Sequence, residues 1–398
     1  MKVLVVSQFF WPEEFRINDI CKGLKNEGHE VEIITGLPNY PMGKFFKGYS
    51  VKGPYKEEFE GMKVMRFPVV PRGKSGALNM ILNYLSFMIN GSFRIIPILF
   101  KRYDRVFMFQ SSPITAAIPA IIYSRVKKVP SYIYIQDLWP ETFYSIVPIN
   151  NERLKKIFKR LCTRIYNRFS TILISSKGYE NILTDSGIDK SKIVYFPQWA
   201  EDLYSKEIDE VIKKDKNELV LTFAGNIGKA QSVETIIKAA NLATDRKSIQ
   251  WNILGNGSEF DNIKSMVDEY GLSDTVHLLG RKPVEEMPRY FKQSDGLIVT
   301  LKDEGILRVT LPAMVQSYMA AGRPIISAIS GAGAEVIEES KCGIACEAED
   351  YETLYKNVLK FYEMKTLDRE QLGLNGKRYF QENFTREKLL GELNSIMT

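Results

Sequence analysis

Short apolar runs of strand length alternate with amphipathic stretches of helical spacing along most of the chain. Near the N-terminus, residues 2–6 predict a buried strand, residues 16–27 a helix that Gly28 ends, and residues 30–35 a second strand. The same order begins again at residue 219. Because β-α-β crossovers are right-handed, each such unit forms a parallel sheet, so two doubly wound α/β domains are predicted.

The longest amphipathic stretch, residues 78–100, carries an apolar stripe that we expect to pack on the sheet. The stripe consists of Leu78, Ile81, Leu82, Leu85, Met88 and Ile89. Residues 76–93 and 106–124 are long uncharged runs, but polar residues interrupt both, so neither is expected to span a bilayer. The remaining predicted strands are residues 62–67, 104–109, 131–135, 171–175, 194–196, 219–224, 250–254, 276–279, 297–301 and 324–326.

The stretch 310–327 has the order loop, helix, tight turn and buried strand. Leu311 and Pro312 begin the helix, and Gly322 ends it. A helix N-terminus presents free N–H groups and a positive dipole end, which suit a diphosphate. An ordinary helix–strand unit of a parallel sheet is the alternative interpretation.

Glycines follow two predicted strands of the second half and precede helices. They are Gly225 and Gly228, with Asn226 between them, and the pair Gly255 and Gly257. Glycine at such a place lets the backbone approach a phosphate closely. The pattern alone is weak, but its position at the start of a second α/β domain favours a phosphate site.

The first half has no comparable glycine loop after its first strand, so an acceptor is favoured there over a dinucleotide. Polar residues nevertheless follow several of its strands, where ligands bind in open α/β sheets. A structural cap is the alternative for this loop region. The acceptor candidates are Glu13, Glu14, Asn39, Tyr40 and Gln136.

Length and composition indicate an ordinary globular protein of two domains. The 398 residues are predicted to divide into residues 1–197, joined by a returning helix at about 381–398, and residues 198–380. Residues 197–199 are the predicted hinge, and the charged segment 201–218 a linker. The net charge of +6 is too small to indicate nucleic acid. The four cysteines form no metal framework, and no signal peptide is expected.

Residues 153–169 form a predicted basic amphipathic helix. Such a helix suits an anionic membrane surface, while a solvated helix with its apolar face in the core is the alternative. The cations proposed to meet the membrane are Lys155, Lys156, Lys159, Arg160 and Arg164. The apolar face consists of Leu154, Ile157, Phe158, Leu161 and Ile165.

Five features in one order carry a resemblance to a known family: GHEV after the first helix, the hinge, AGN-x-G, GNG, and P-x5-YMAAGRPII. Together they resemble the family-4 retaining glycosyltransferases, and the variants VSQFFWPE, LPNYP and QDLWPE are most similar to the bacterial surface-polysaccharide branch of L-fucosamine and colanic-acid fucosyl transferases. The resemblance implies a GT-B fold, in which two Rossmann-like domains face each other across a cleft. The second domain would hold a nucleoside-diphosphate sugar and the first an acceptor.

Several positions depart from the family pattern around the diphosphate. The usual arginine and lysine of the G-R-x4-K-G loop fall on Asn226 and Gln231. The resemblance therefore requires phosphate neutralisation by another cation, and Lys229, Arg281 and Arg308 are the candidates.

The family's carboxylates are displaced as well. Its two glutamates, eight residues apart, fall on Val309 and Ser317, and Glu304 is the nearest upstream substitute. Where many members carry His-Asp, this chain has Gln136 and Asp137. Asp137 and Glu304 are the catalytic candidates, and Ser317 is a donor-binding candidate.

The chain contains only two histidines, His29 in a turn and His277 in a strand, so no imidazole base is evident. A retaining front-face reaction, in which the leaving phosphate accepts the acceptor's proton, needs no such base. The chain also lacks an Asp-x-Asp motif, so neither a metal nor another cofactor is expected.

These observations predict a hexosyltransferase-type enzyme of capsule, O-antigen or exopolysaccharide synthesis at the inner face of the plasma membrane. A UDP-sugar is the first expectation for the donor and a GDP-sugar the second. The expected acceptor is a glycan linked to undecaprenyl pyrophosphate. A GT-B nucleotide-sugar 2-epimerase and a non-catalytic sugar-nucleotide-binding scaffold are the alternatives.

Overall fold

The computed structural model describes residues 1–73, 77–147, 150–205 and 218–398. The chain divides into two units with separate sheets. The N-terminal unit comprises Met1–Ser175, Tyr179–Phe196 and Leu390–Thr398, and the C-terminal unit comprises Ser176–Gly178 and Pro197–Leu389. The main division thus falls one residue before the predicted boundary, whereas the return to the N-terminal unit begins at Leu390 instead of at about residue 381.

The N-terminal unit contains an eight-stranded sheet with the order β3-β4-β2-β1-β5-β6-β7-β8. All its strand pairs are parallel except β3 with β4, which is antiparallel. The strands are β1 (Lys2–Ser7), β2 (Glu30–Gly36), β3 (Lys56–Phe59), β4 (Met62–Phe67), β5 (Arg105–Gln110), β6 (Ser131–Ile135), β7 (Thr171–Ile174) and β8 (Ile193–Tyr195). The helices of this part of the chain are α1 (Arg16–Asn26), α2 (Ala77–Ile98), α3 (Ile118–Lys127), α4 (Glu141–Ile146), α5 (Glu152–Tyr166) and α6 (Tyr179–Asp185).

The C-terminal unit contains a six-stranded parallel sheet with the order β11-β10-β9-β12-β13-β14. Its strands are β9 (Leu219–Ala224), β10 (Ile249–Leu254), β11 (Val276–Gly280), β12 (Gly296–Thr300), β13 (Ile325–Ala328) and β14 (Gly343–Cys346). The helices from this point on are α7 (Val233–Leu242), α8 (Phe260–Glu269), α9 (Met287–Gln293), α10 (Gly305–Val309), α11 (Ala313–Ala320), α12 (Ala332–Ser340), α13 (Tyr351–Glu363), α14 (Thr366–Asn383) and α15 (Arg386–Met397). The prediction of two doubly wound parallel-sheet domains is confirmed.

The predicted orientation of α2 is wrong. Five of the six stripe residues assigned to the sheet are solvent-exposed, and the sixth, Met88, is partly exposed. The buried side of α2 instead carries Asn83, Phe87 and Ile95. Phe87 packs on Phe67 of β4 with ring centroids 4.9 Å apart, so an aromatic contact and a buried amide, not the aliphatic stripe, hold α2 on the sheet.

Two further expectations concern membrane-spanning helices and the linker between the units. No helix in the described ranges is both long and apolar enough to cross a bilayer. The predicted linker 201–218 lies mostly outside the described residues, which resume at residue 218.

Candidate functional sites

The glycine loop after β9 is bonded to the loop after β10 in the C-terminal unit. The Gly225 N–H donates to the Leu254 carbonyl at 3.0 Å, and the Ile227 N–H donates to the Asn256 carbonyl at 3.0 Å. The two loops lie at the carboxyl ends of neighbouring parallel strands, which is the edge of the sheet where ligands bind. Sequence-predicted donor residues are therefore brought together here.

Glycine is required in these loops by contacts between the loops themselves. Gly255 has a φ of +145°, and a Cβ on it would lie 1.8 Å from the Gly225 carbonyl oxygen. A Cβ on Gly257 would lie 2.3 Å from the Ile227 carbonyl oxygen. No side chain fits at either place, so these glycines keep the paired loops in contact and leave backbone exposed at the sheet edge.

Gln231 occupies the place of the lysine in the family pattern and closes the glycine loop on itself. Its Oε1 atom accepts hydrogen bonds from the Gly228 N–H and from Asn226 Nδ2, each at 3.2 Å. Its own carbonyl accepts a hydrogen bond from Thr300 Oγ1 at 2.7 Å. This neutral amide positions the loop and supplies no positive charge.

Two of the three candidate cations are uncommitted. Lys229 and Arg281 are exposed, and neither side chain forms a hydrogen bond or ion pair within the described ranges. Arg281 directly follows β11, whose last residue, Gly280, accepts a hydrogen bond from the Gly255 N–H at 3.0 Å. Arg308 differs, because its guanidinium is bonded to Asp303, which raises the pKa of that arginine.

Helix α11 is the helix predicted within residues 310–327, and the structure shows that it begins beside the glycine loop. Pro312 is the N-cap residue, with Leu311 buried before it. A Cβ on Gly225 would lie 2.8 Å from the Met314 sulfur in the first turn of α11. The buried Tyr318 hydroxyl accepts a hydrogen bond from the Ala224 N–H at 2.9 Å. These contacts hold the helix N-terminus against the end of β9, where it favours a phosphate.

The two polar candidates near α11, Ser317 and Glu304, differ in whether their side chains already form hydrogen bonds. Ser317 is half-buried, and its hydroxyl donates to the Ala313 carbonyl of the same helix at 3.2 Å. Glu304 is the exposed N-cap residue of α10, and its carboxylate makes no capping hydrogen bond. The Glu304 carboxylate is therefore available to a ligand, while the Ser317 hydroxyl can still accept a hydrogen bond.

In the N-terminal unit, Glu13 is a buried brace beneath the loops that follow β1 and β2. Its carboxylate accepts hydrogen bonds from the N–H groups of Asn39 and Tyr40 at 2.8 Å and from that of Phe10 at 3.1 Å. Burial raises the pKa of Glu13 to about 7, although the three N–H groups oppose that rise. The adjacent Glu14 is exposed and takes no part in this brace.

A second group of polar side chains follows β5 and β6. The Asp137 carboxyl lies beside the Ser112 hydroxyl, and burial raises the pKa of Asp137 to about 6. Gln110 donates from Nε2 to the Asp137 carbonyl at 3.0 Å, while its buried Oε1 atom has no partner among the described residues. Gln136 joins the group through its backbone N–H, which donates to the Gln110 carbonyl at 2.9 Å.

A cation that the sequence analysis missed lies among the same residues. The Arg72 guanidinium lies between two aromatic rings, 5.3 Å from the centroid of Tyr40 and 5.7 Å from that of Tyr84. The Asn39 side chain accepts a hydrogen bond from the Arg72 N–H at 3.2 Å. Burial raises the pKa of Tyr84, the positive charge of Arg72 opposes that rise, and the negative charge of Asp137 adds to it. No local pattern distinguishes Arg72 or Tyr84, since α2 also contains several other polar residues.

The basic helix α5 begins where Asn151 caps it, accepting hydrogen bonds from the N–H groups of Arg153 and Leu154. Of the five cations assigned to the membrane, Lys155 is paired with Glu152 at 2.8 Å. The other four form no ion pair within the described part of the chain and, with Thr163, Asp185 and Ser186, line a cavity of about 340 Å³. Three residues of the apolar face, Leu154, Ile157 and Leu161, are exposed, so the alternative that this whole face lies in the core is wrong.

Neither histidine belongs to these sites. His29 Nε2 is 2.8 Å from Asn394 Oδ1, and His277 Nε2 is 2.6 Å from Gln250 Oε1. His29 immediately precedes β2, and His277 lies within β11. Both imidazoles therefore have structural partners away from the carboxyl ends of the strands.

Two protein-family models match the chain, one in its N-terminal half and one in its C-terminal half. The glycosyl transferase 4-like domain matches residues 14–199, and the domain of glycosyl transferases group 1 matches residues 205–379. The chain is 23% identical, over 94% of its length and 98% of the relative, to a protein of Escherichia coli named as a colanic acid biosynthesis glycosyl transferase, WcaI. It is also 23% identical to a glycosyltransferase of Methanocaldococcus jannaschii, over 100% of its length and 98% of that protein.

Solved structures agree at the level of the fold. HepE of Anabaena, crystallised with UDP and glucose, has a TM-score of 0.69 at 14% identity, covering 100% of this chain and 99% of its own. WaaG, a glycosyltransferase of lipopolysaccharide biosynthesis, has a TM-score of 0.68 at 13% identity, with both chains covered completely. The two domain matches show that the chain is a glycosyltransferase, with its group 1 domain at residues 205–379, and the solved structures show that it has the GT-B fold.

Proposed function

We propose that the protein is a retaining glycosyltransferase that moves a sugar from a nucleoside-diphosphate donor to a lipid-linked glycan acceptor during synthesis of a cell-surface polysaccharide. The observation that carries this proposal is the arrangement beside β9, where a tight glycine loop, the N-terminus of α11 and an uncommitted Lys229 lie together. Free backbone N–H groups, a positive helix end and a mobile cation are the features that bind a diphosphate.

A UDP-sugar is the proposed donor, with a GDP-sugar as the second choice. The support is that HepE was crystallised with UDP and with UDP-glucose, and that its fold covers the whole of this chain. The named relative WcaI supports the assignment to polysaccharide synthesis.

The proposed reaction leaves the anomeric configuration unchanged. The bond between the sugar C1 and the diphosphate oxygen breaks, the acceptor oxygen bonds to C1 on the same face, and the leaving phosphate takes the acceptor's proton. Lys229 and Arg281 would stabilise the charge that develops on the diphosphate. The engagement of both histidines with structural partners supports a route in which no imidazole acts as a base.

The carboxylates have separate proposed roles. Glu304, exposed at the start of α10, would contact the donor sugar in place of the family's glutamates. Asp137, with a pKa raised to about 6 by burial, would orient the acceptor hydroxyl as a carboxylate at neutral pH. The buried Oε1 atoms of Gln8 and Gln110, which have no partner among the described residues, are acceptors that sugar hydroxyls could satisfy.

The enzyme would act at the inner face of the plasma membrane without a metal or another cofactor. The unpaired cations of α5 support an anionic membrane surface as its partner. The lack of an Asp-x-Asp motif supports metal independence. Activity that survives EDTA would agree with this part of the proposal, and activity restored only by Mg²⁺ or Mn²⁺ would contradict it.

The direct test is a transfer assay in which UDP-, GDP- and ADP-sugars are each incubated with the protein and a polyprenyl-diphosphate sugar. We expect a product from one nucleotide family, and NMR should show the donor's anomeric configuration in that product. An inverted product would contradict the retaining route. A donor isomerised at C2 without transfer would identify the epimerase, and donor binding without any turnover would identify the scaffold.

A further inference from the structure

Helix α2 carries an apolar stripe that no described part of the chain covers. Its members recur at intervals of three and four residues and continue just beyond the helix end, so they lie along one side. Their exposed fractions range from 41% for Leu82 to 90% for Phe100. The α2 stripe is Leu78, Ile81, Leu82, Leu85, Ile89, Phe93, Ile96 and Phe100.

The fold does not need this stripe, because α2 is held by its other side. Phe87, Ile95 and Ile98 are buried, and Gly91 approaches so closely that an added Cβ would lie 2.9 Å from Pro119 of α3. The stripe is therefore surplus to folding. A contiguous apolar surface of this size on one helix indicates a binding surface.

Charge indicates which partner fits. Between residues 77 and 98 the only charged side chain is Arg94, so the helix carries no acidic group that would repel an anionic surface. Helix α5 packs against the same short helical turn, Ile114–Ala117, as α2 does. Helices α2 and α5 thus share a neighbour within one unit, and α5 also carries exposed apolar residues and cations without an ion pair in the described ranges.

We propose that the α2 stripe is a bilayer-docking surface, which inserts among the acyl chains at the interface of an anionic membrane while the cations of α5 meet the headgroups. An interfacial helix lies in the membrane plane, which agrees with the absence of a membrane-spanning helix from the described ranges. At 1.5 Å per residue, residues 78–100 would make a line of contact about 33 Å long. This length and the lack of acidic residues favour a lipid surface over a compact protein partner.

Docking through α2 would also place the acceptor loops at the membrane. Asn83, on the buried side of α2, accepts a hydrogen bond from Gln8 Nε2 at 2.8 Å and donates from Nδ2 to the Val70 carbonyl at 2.6 Å. Tyr84, the next residue, contacts Arg72. The helix proposed to touch lipid therefore contacts Gln8, which follows β1, and Arg72. In this respect the inference rests on the proposed function, because it makes the acceptor a lipid-linked one.

The test is flotation of the full chain with vesicles of phosphatidylglycerol and phosphatidylethanolamine, and with phosphatidylcholine vesicles as the neutral comparison. A triple variant, L82S/L85S/I89S, changes exposed residues only. We expect the wild type to float with the anionic vesicles. The triple variant should bind these vesicles with an affinity lower by about tenfold or more. The matched control is L367S/L374S, which removes two leucines that are 76% and 58% exposed on α14.

A second measurement identifies the inserted side chain. In a Leu85→Trp variant, tryptophan emission should be quenched by brominated acyl chains more strongly than in a Leu367→Trp variant. Equal vesicle binding by the triple variant and the wild type would overturn the proposal. So would a stripe-dependent dimer that binds no vesicles, since it would show that a second copy covers the stripe.

Failure of the membrane-docking proposal can be distinguished from failure of the proposed enzymatic function. Stabilisation of the protein by a nucleotide-sugar does not depend on lipid, so the triple variant should keep the wild-type thermal shift while losing vesicle-dependent transfer. Vesicle binding without any transfer would leave the docking surface intact and refute only the enzymatic proposal.

Discussion

The buried brace at Glu13 allows a quantitative prediction. In a Glu13→Ala variant, the N–H groups of Phe10, Asn39 and Tyr40 lose their shared acceptor. Each buried, unsatisfied donor costs about 1–3 kcal/mol, so the loss of all three partners should lower the free energy of unfolding by about 3–9 kcal/mol. In Glu13→Gln the amide oxygen can take the place of Oε1 and accept from the N–H groups of Asn39 and Tyr40. The amide NH₂ group then lies opposite the Phe10 N–H, which alone loses its acceptor. The loss should be about 1–3 kcal/mol.

The same residue predicts a pH dependence. Burial raises the pKa of Glu13 from an ordinary 4.5 to about 7, so the folded state binds the proton more tightly than the unfolded state does. A group with a raised carboxyl pKa stabilises the protein below its unfolded pKa and loses that contribution as the pH rises through the folded pKa. The wild type should therefore lose about 3 kcal/mol from this group between pH 4.5 and 7, and Glu13→Gln should lack this component.

Urea denaturation at pH 5 and pH 8, followed by circular dichroism, measures both effects. The control is Glu14→Gln, in which the neighbouring exposed carboxylate is neutralised. It should leave the midpoint and its pH dependence near those of the wild type. A Glu13→Ala protein that loses less than about 1 kcal/mol would refute the reasoning about shared donors. An unchanged pH dependence in Glu13→Gln would refute the raised pKa.

Three further predictions concern the two sites. Gly255→Ala should abolish nucleotide binding, because Gly255 has a φ of +145° and an added Cβ would lie 1.8 Å from the Gly225 carbonyl oxygen. The control Gly305→Ala, which has open space around it, should bind UDP normally in calorimetry. Lys229→Ala should weaken donor binding and slow transfer by about 10- to 100-fold in initial-rate assays, without changing the melting temperature. In the pH profile of the transfer rate, Asp137→Asn should remove the fall in rate that occurs below about pH 6, and it should lower the rate at higher pH. A fall that persists in the variant would assign this ionisation to another group.

The strands were the most predictable feature. Buried parallel strands are short apolar runs bounded by polar or glycine residues, and such runs give the bounds of β4, β6 and β9 as the structure has them. The strand β14 and the helix α13 were not predicted. The half-buried residues of β14 give its four positions no distinctive pattern.

Helix α2 shows what periodicity leaves open. The spacing of its aliphatic residues correctly predicts a helix, but an apolar stripe can face either the core or another hydrophobic partner. The inward side is less apolar than the outward one, because Asn83 and Gly91 contribute a buried amide and a close backbone approach. Those are tertiary contacts, which the local pattern does not contain.

The candidate sites divide in the same way. The glycines of the two loops and the residues after the strands could be found because βα connections place them at one edge of a sheet. The part of Gln231 in closing the glycine loop depends on an amide oxygen that reaches the Gly228 N–H. The position of Arg72 between Tyr40 and Tyr84 joins residues from three separate segments. Such convergence follows from packing and not from local sequence.

The central claim is that the C-terminal unit holds a nucleoside-diphosphate sugar at the end of β9, and amide hydrogen exchange with and without UDP tests it most directly. We predict slower exchange over residues 225–232, 255–259 and 311–317 when UDP is added, together with unchanged exchange over β4 and β5 of the N-terminal unit. The Lys229→Ala protein should need a higher UDP concentration for the same protection. Binding that leaves all three segments unprotected, or the absence of binding by any nucleotide, would contradict the claim.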